Sequence, residues 1–471
     1  MEKILSLPAH EAVSLLKEKK ISSLELIDKA ESRIREVDGL INAVPTLCIE
    51  RAKAKAEKIE SGPKDDLPPH YLYGLPILVK DLTEVKGVKT TYGSRIFKDH
   101  VPPFSNYLVE RLEKNGAVVI GKSNTPEFGA GGNTFNDVVG ATRNPWNPLM
   151  SAGGSSGGSA AALAAGETWL ATGNDLAGSL RTPASFCSVV GFRPSPGRIA
   201  SGPGPAIFNP LAIEGPMGRS VQDTALMMDN MVGFHPGDPL SLEKPGYSFF
   251  KIARQTITPV KVAYSTDLGG ITPVDKEVAG IFMQAVKTIS GNITATRDCP
   301  DFKNANKIFH TLRAAMLVHR LSPLLKEHRE LFKPELIWNI EKGMDLTMED
   351  LAEAEQLRAQ MYYSVLEFFN TYDLLICPTA ITLPFDVNTR YIESLGETKF
   401  DNYIDWLTIV YAISVTACPV ISIPCGFSET GLPVGLQIVG PPRRDDLVIG
   451  AAAHFENLLN LSPSGPVAPK I

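Results

Sequence analysis

Five short apolar runs, "PILVK", "AVVIGK", "YDLLICPTA", "CPVISIPCGF" and "LPVGLQIVG", punctuate this 471-residue chain, with glycine, proline or polar turn residues around them. Runs of this length bounded by turn signals are buried strands, and the helical segments between them supply cover, so the texture predicts a sheet flanked by helices on both faces. Two of the runs fall between Leu75 and Lys122, and three fall after Thr371. The late strands need a sheet to join, which makes one sheet-centred α/β domain over 1–471 the expected architecture. Residues from about 237 to 370 lose glycine and gain long amphipathic patterns ("KEVAGIFMQAVKTIS", "DLAEAEQLRAQMYYSVLEFF"), which reads as a helical insertion on the substrate side. Ahead of the first strand, residues 1–62 carry three helical patterns that pack on the domain, the second capped by Ser22 or Ser23.

The charge balance narrows the partners. Lys plus Arg number 46 and Asp plus Glu 52, for a formal net charge of −6, and no basic block interrupts the chain. Nucleic acid and an anionic membrane surface are therefore not expected partners, and a small molecule is. The start, "MEKILSLPAHEAVSLLKEKK", has no signal-peptide apolar core, and no stretch approaches the roughly 18 apolar residues of a membrane span, so a cytoplasmic location is expected. Six cysteines include no CxxC pair, which argues against zinc and a disulfide framework and for buried thiols. No metal and no cofactor are expected.

One stretch promises chemistry. "SAGGSSGGSAAALAAG", Ser151 to Gly166, matches G-x-S-x-G twice, around Ser155 and around Ser156, the spacing of a nucleophile elbow. An α/β-hydrolase would then need an acid and a histidine downstream. His310, His319, His328 and His454 lie in helical patterns and His235 in a Gly/Pro loop, so none is placed as a triad base. A phosphate loop fails too, because Ser159 stands where its lysine must be.

Two other segments supply the missing parts. "GLPILVKDL" sets Lys80 at the end of an apolar strand, where burial disfavours the charged amine and lowers its pKa. "GNDLAGSLRTPASFCSVVGFRPSPGR" contains Ser179 after Leu176, Ala177 and Gly178, small residues that let successive backbone N–H groups converge on an oxyanion. Two serines and a neutral lysine make a nucleophile and base system without histidine.

With "GLPILVKDL", "GKSNTPEFGAGG", "GATRNPWNP", "GGSSGGSAAALAAG" and "GNDLAGSLRTPASFCSVVGFRPSPGR", and the late "CPVISIPCGFSETGLPVGLQIVG", the chain resembles the amidase signature hydrolases. The resemblance implies an α/β/α sandwich around a mixed, mostly parallel sheet. It implies Ser179 as nucleophile, Ser155 as a proton bridge and Lys80 as base. The peptide before Ser155 would be cis, and the backbone of Leu176, Ala177, Gly178 and Ser179 would form the oxyanion hole. Ser156, Asp175 and Arg181 would support the serine loops. The chain departs from the family where Asn174 replaces threonine and Ala177 replaces glycine.

The activity implied is cleavage of carboxamide C–N bonds through an acyl-enzyme, with esters or carbamates as further substrates, by a monomer or homodimer. The family also includes the ammonia-producing glutaminase subunit of tRNA-dependent amidotransferases. Its "GYYDAYY"-like segment has no close counterpart in "LTMEDLAEAEQLRAQMYYSV", although Asp405 could imitate the acidic residue that grips a glutamine amino group. A non-catalytic binding protein on the same scaffold would be expected to have lost part of the Lys-Ser-Ser set. Trp338, Tyr362, Tyr363, Tyr391, Tyr403 and Trp406 are candidates for a pocket lining, against ordinary core packing.

Overall fold

A computed structural model describes residues 2–62, 67–291, 293–461 and 465–470. Eleven strands form one sheet: β1 (Thr46–Leu47), β2 (Pro76–Lys80), β3 (Val118–Ser123), β4 (Leu170–Asp175), β5 (Val190–Arg193), β6 (Ile213–Gly218), β7 (Lys261–Tyr264), β8 (Thr294–Arg297), β9 (Leu374–Pro378), β10 (Val420–Phe427) and β11 (Pro433–Val439). Their spatial order is β1-β3-β2-β4-β6-β5-β10-β11-β9-β7-β8. The early and late apolar runs thus share one sheet, as the need for strand partners dictates.

The sheet is mixed. Parallel pairs occupy its two flanks, β3-β2-β4 on one side and β9-β7-β8 on the other. Its centre is antiparallel, because β10 and β11 are a hairpin closed by "SETGL" and because β6 returns along β4 with Glu214 opposite Asn174. Strands β2, β3, β4, β5, β9 and β11 lie almost wholly out of solvent, which explains runs without alternation.

Helices cover the sheet. α1 (Ala9–Lys17), α2 (Ser23–Ile41) and α3 (Ile49–Ser61) precede the first long strand. Of the two candidate caps, Ser22 accepts from the Glu25 N–H. α4 (Gly157–Ala165) is buried along its whole length and packs against β2, β3, β4 and β6. A Cβ on Gly158 would lie 2.2 Å from the Asn124 amide nitrogen, so the glycine and alanine density of this segment reflects close helix-to-strand contact. α5 (Arg181–Cys187) follows β4.

The stretch expected to be a helical insertion contains α6 (Lys276–Ile289), α7 (Ala305–His328), α8 (Pro334–Met344) and α9 (Met348–Phe368), but also β7 and β8. These two four-residue strands extend the sheet at its edge, where half-exposed positions mask any apolar run. α10 (Asp445–Leu459) is the last helix. Among the described residues no helix is long and apolar enough to cross a membrane.

Just beyond α4, the carboxyl of Glu167 is fully buried beside that of Asp38, which accepts the Ala43 and Val44 amides at the end of α2. Burial, then the charge of Asp38, pushes Glu167 well above the ordinary carboxylate range. The folded state therefore holds a proton that the unfolded chain releases near its ordinary pKa of 4.5. Its stabilising share is complete below that value and declines as pH rises toward the folded pKa. Glu167→Gln, which keeps a neutral side chain at every pH, should raise the thermal midpoint at pH 8 by about 2 °C and flatten its alkaline decline in a melting series.

Candidate active site

Parallel β2 and β4 end side by side, and the residues expected to carry chemistry sit at those carboxyl ends. Lys80 is the last residue of β2 and is fully buried. Its Nζ lies 2.7 Å from Ser155 Oγ, 2.9 Å from Ser156 Oγ and 2.7 Å from Asn174 Oδ1. All three are neutral groups. Burial therefore dominates and lowers its pKa to about 7, although Glu214 and Asp175 pull the other way. Lys122 on neighbouring β3 is equally buried, but Asp81 stands 3.3 Å from its ammonium. Of these two buried lysines, Lys80 is the one with no carboxylate at ion-pair distance among the described residues.

Ser155 and Ser156 come from the turn before α4, and the Gly154–Ser155 peptide is cis. Ser156 joins the three pieces of the site. Its amide donates to Ser179 O at 3.1 Å, and its hydroxyl donates to Asn174 O at 3.4 Å while accepting from Lys80. Asn174, where the resemblance implies threonine, thus places an amide acceptor on the lysine.

Ser179 lies in the turn between β4 and α5, and it lines the same cavity of about 230 Å³ as Ser155 and Asn174. No hydrogen bond joins the two serine hydroxyls in this resting arrangement, among the described residues. Positive φ in the Ser179 turn falls on Gly178, at 89°, and not on Ala177, so alanine at 177 meets no backbone penalty.

Of the four amides expected to face an oxyanion, that of Gly178 is already committed, donating to Asp175 Oδ1 at 2.9 Å. Gly178 is therefore a poor hole donor, for the physical reason that a buried carboxylate holds its proton. The amides of Leu176, Ala177 and Ser179 have no protein partner among the described residues.

Asp175 fixes this turn. Its carboxylate accepts from Gly178, Leu180 and, in a fork, Arg181 at 3.0 Å through both Nε and Nη2, and Arg193 stands 3.5 Å away. Burial pushes the carboxyl up, but Arg181 and Arg193 outweigh it and hold it down to about 2. Arg181 also donates to Val410 O, Gln437 Oε1 and Ser414 Oγ, tying the turn to the far side of the sheet. Asp175→Asn would leave two guanidinium groups buried without a counter-charge, so it should destabilise the fold by about 3 kcal/mol or more in urea unfolding.

Several sequence candidates lie elsewhere. Asp405 bonds His310 Nε2 at 2.7 Å and Asn402, and it does not line the cavity. Nor do the six aromatic residues singled out from the sequence; Trp406 is core, and Tyr363 is exposed. No histidine lines the cavity either. Cys187 is buried with its thiol pKa pushed up by burial, a packing residue.

The walls that sequence reasoning missed are Tyr92, Phe128, Glu84, Glu214, the loop 197–210, and Arg313 and Arg320 of α7. They are far apart in sequence, and apart from Phe128 in "GKSNTPEFGAGG" and Gly197 in "GFRPSPGR" they lie in no motif. The one available signal was the basic i, i+7 spacing on α7.

A family model described as Amidase matches residues 25–449. An acylamidase of Rhodococcus erythropolis is 34% identical over 460 residues, covering 96% of this chain and 95% of that protein. A glutamyl-tRNA(Gln) amidotransferase subunit of a Cyanothece species is 32% identical over 465 residues, covering 93% of this chain and 95% of that protein. The crystal structure of a bacterial aryl acylamidase of the amidase signature family superposes with a TM-score of 0.89 at 29% identity, covering 96% of each chain.

Proposed function

Because the chain belongs to the amidase family, we propose that it is a stand-alone hydrolase that cleaves carboxamides to acid and amine or ammonia with Ser179 as nucleophile, Ser155 as bridge and Lys80 as base. The observation that carries this reading is the lysine amine, buried against Ser155 with no carboxylate beside it.

The hydrogen-bond arithmetic favours a base at that position. A neutral amine has two protons and one lone pair. Asn174 Oδ1 can only accept, and Ser156 directs its own proton to Asn174 O, so it too accepts from the lysine. The lone pair is left for the proton of Ser155.

Ser155 then takes the proton of Ser179 as Ser179 Oγ attacks the substrate carbonyl. Apo catalytic contacts are commonly loose, and closure of the two hydroxyls accompanies substrate binding. The amides of Leu176, Ala177 and Ser179 are the donors open to the oxyanion. Reversal of the relay protonates the departing nitrogen as the C–N bond breaks, leaving an acyl group on Ser179. Water, deprotonated by the same relay, releases the acid and restores the serine.

Esters and carbamates pass through the same kind of oxyanion and are further expected substrates. The amidotransferase reading is kept by relatives such as the Cyanothece protein. Against it stands Asp405, held by His310 away from the cavity.

Release of amine or ammonia from aryl anilides, aliphatic primary amides, carbamates, esters and glutamine separates the two. Turnover of simple amides by the purified chain is the expected result. Turnover of glutamine alone, or none until a partner protein is added, would replace the stand-alone reading.

A further inference from the structure

Helix α7 presents Arg313, Met316, Leu317 and Arg320 to the cavity that holds Ser155 and Ser179. The i, i+3, i+4, i+7 spacing puts all four on one helical face. The two arginines differ in their surroundings. Arg320 is the more exposed and is offset by the charges of Glu214 and Glu84, which also line the cavity. Glu214 acts on Lys80 as well, so the acidic groups belong to the lysine end.

Arg313 is only 4% exposed and has no carboxylate within ion-pair distance among the described residues. Its Nη2 donates to Tyr403 Oη at 2.6 Å, and its guanidinium lies 5.3 Å from the centre of the Tyr403 ring. Tyr403 is held in turn by Asn339 Oδ1 at 3.2 Å.

At the start of α8, Lys333 is buried and donates to Ala130 O on the cavity wall; burial, and to a smaller extent Arg390 and Arg313, lower its pKa to about 8 against the pull of Glu335 and Glu127. The nearby acid Glu335 is already taken by the fork of Arg390, at 2.6 and 2.7 Å.

A guanidinium locked in place and desolvated without a protein carboxylate beside it is unfavourable unless another group brings the charge. Its planar donors match a carboxylate in two parallel bonds. We propose that Arg313 is the anion anchor of this enzyme, and that its preferred substrates are small amides carrying a carboxylate, held with that carboxylate on Arg313 and the scissile carbonyl at Ser179. This rests on the hydrolase reading for the position of the carbonyl. The acidic end near Lys80 and the basic end at Arg313 would orient such a substrate in one direction.

The test compares matched pairs. Succinamate, glutaramate and adipamate are set against butyramide, pentanamide and hexanamide for a carboxylate on the acyl side. N-acetyl-ω-amino acids are set against N-acetyl alkylamines for one on the leaving group. In at least one pair the acid should have the higher kcat/KM by roughly 10- to 100-fold, and Arg313→Met should erase that ratio through KM. Arg313→Lys, which keeps the charge without the fork, should retain part of it.

Binding is read separately by calorimetric titration of glutaramate and pentanamide into the Ser179→Ala protein, with and without Arg313→Met, or with Tyr403→Phe if the methionine variant does not fold. Tighter glutaramate binding that depends on Arg313 or its Tyr403 support is expected. Neutral amides preferred in every pair, or glutaramate binding no tighter than pentanamide, overturns the anchor. Absence of all amide turnover removes the hydrolase reading, while the titration still decides the anchor.

Discussion

Ser179→Ala is expected to abolish amide turnover, lowering kcat by at least about a thousandfold, with circular dichroism and thermal midpoint close to those of the parent. The loss is large because the other groups at hand are poor replacements: Ser155 is bound to Lys80, Ser201 on the same wall has no base hydrogen-bonded to its hydroxyl among the described residues, no histidine lines the wall, and Cys187 is buried with its thiol pKa pushed up. The fold survives because no side-chain hydrogen bond holds Ser179 to the rest of the protein, among the described residues; its carbonyl oxygen, kept in alanine, accepts from the Ser156 amide. A serine-directed fluorophosphonate should label the parent and not the variant. Undiminished hydrolysis by Ser179→Ala would remove it as nucleophile.

The second large effect is in pH. If the free amine of Lys80 is the base, kcat/KM rises with pH through about 7 and levels off above it. At pH 6 roughly a tenth of the protein carries the free amine, and at pH 8 roughly nine tenths.

Glu214, which burial raises to about 7 against the pull of Lys80, titrates in the same range, so the measured inflection belongs to the pair. Glu214 favours the charged lysine, and Glu214→Gln should therefore move the half-maximal pH to a lower value. Lys80→Met should lose about a thousandfold at pH 7 and show no inflection there. Full activity in that variant at neutral pH would eliminate the lysine relay.

Much of the site was legible because its parts are local. Lys80 stands at the end of an apolar run, and Ser179 follows a run of small residues, so strand-end burial and backbone convergence can be reasoned from neighbours in the chain. The same reasoning could not tell Lys80 from Lys122, since both end or interrupt apolar strands and only the fold shows that Asp81 meets one of them. The family resemblance implied four amides at the oxyanion, and the carboxylate of Asp175 claims one of these through a contact three residues away.

The strands β7 and β8 escaped notice because β8 is a half-wet edge strand and its neighbour β7 keeps only two buried residues. The cavity walls escaped because Glu84, Glu214 and Arg313 come from segments more than 90 residues apart and meet only when β6 and α7 close over β2. Periodicity reports which face of an element is buried, and it does not report against what.

Arg181 reaches from the Ser179 turn to Val410, Ser414 and Gln437, residues that leave the ribosome long after Ser179. A growing chain that already contains Lys80, Ser155 and Ser179 therefore has the local Asp175 contacts of the serine's turn but not the ties that Arg181 makes to the later residues. The full set of ties is completed only when the β10–β11 hairpin docks, and a fragment ended by proteolysis before Gln437 would keep Lys80, Ser155 and Ser179 while losing one of the three anchors of Arg181.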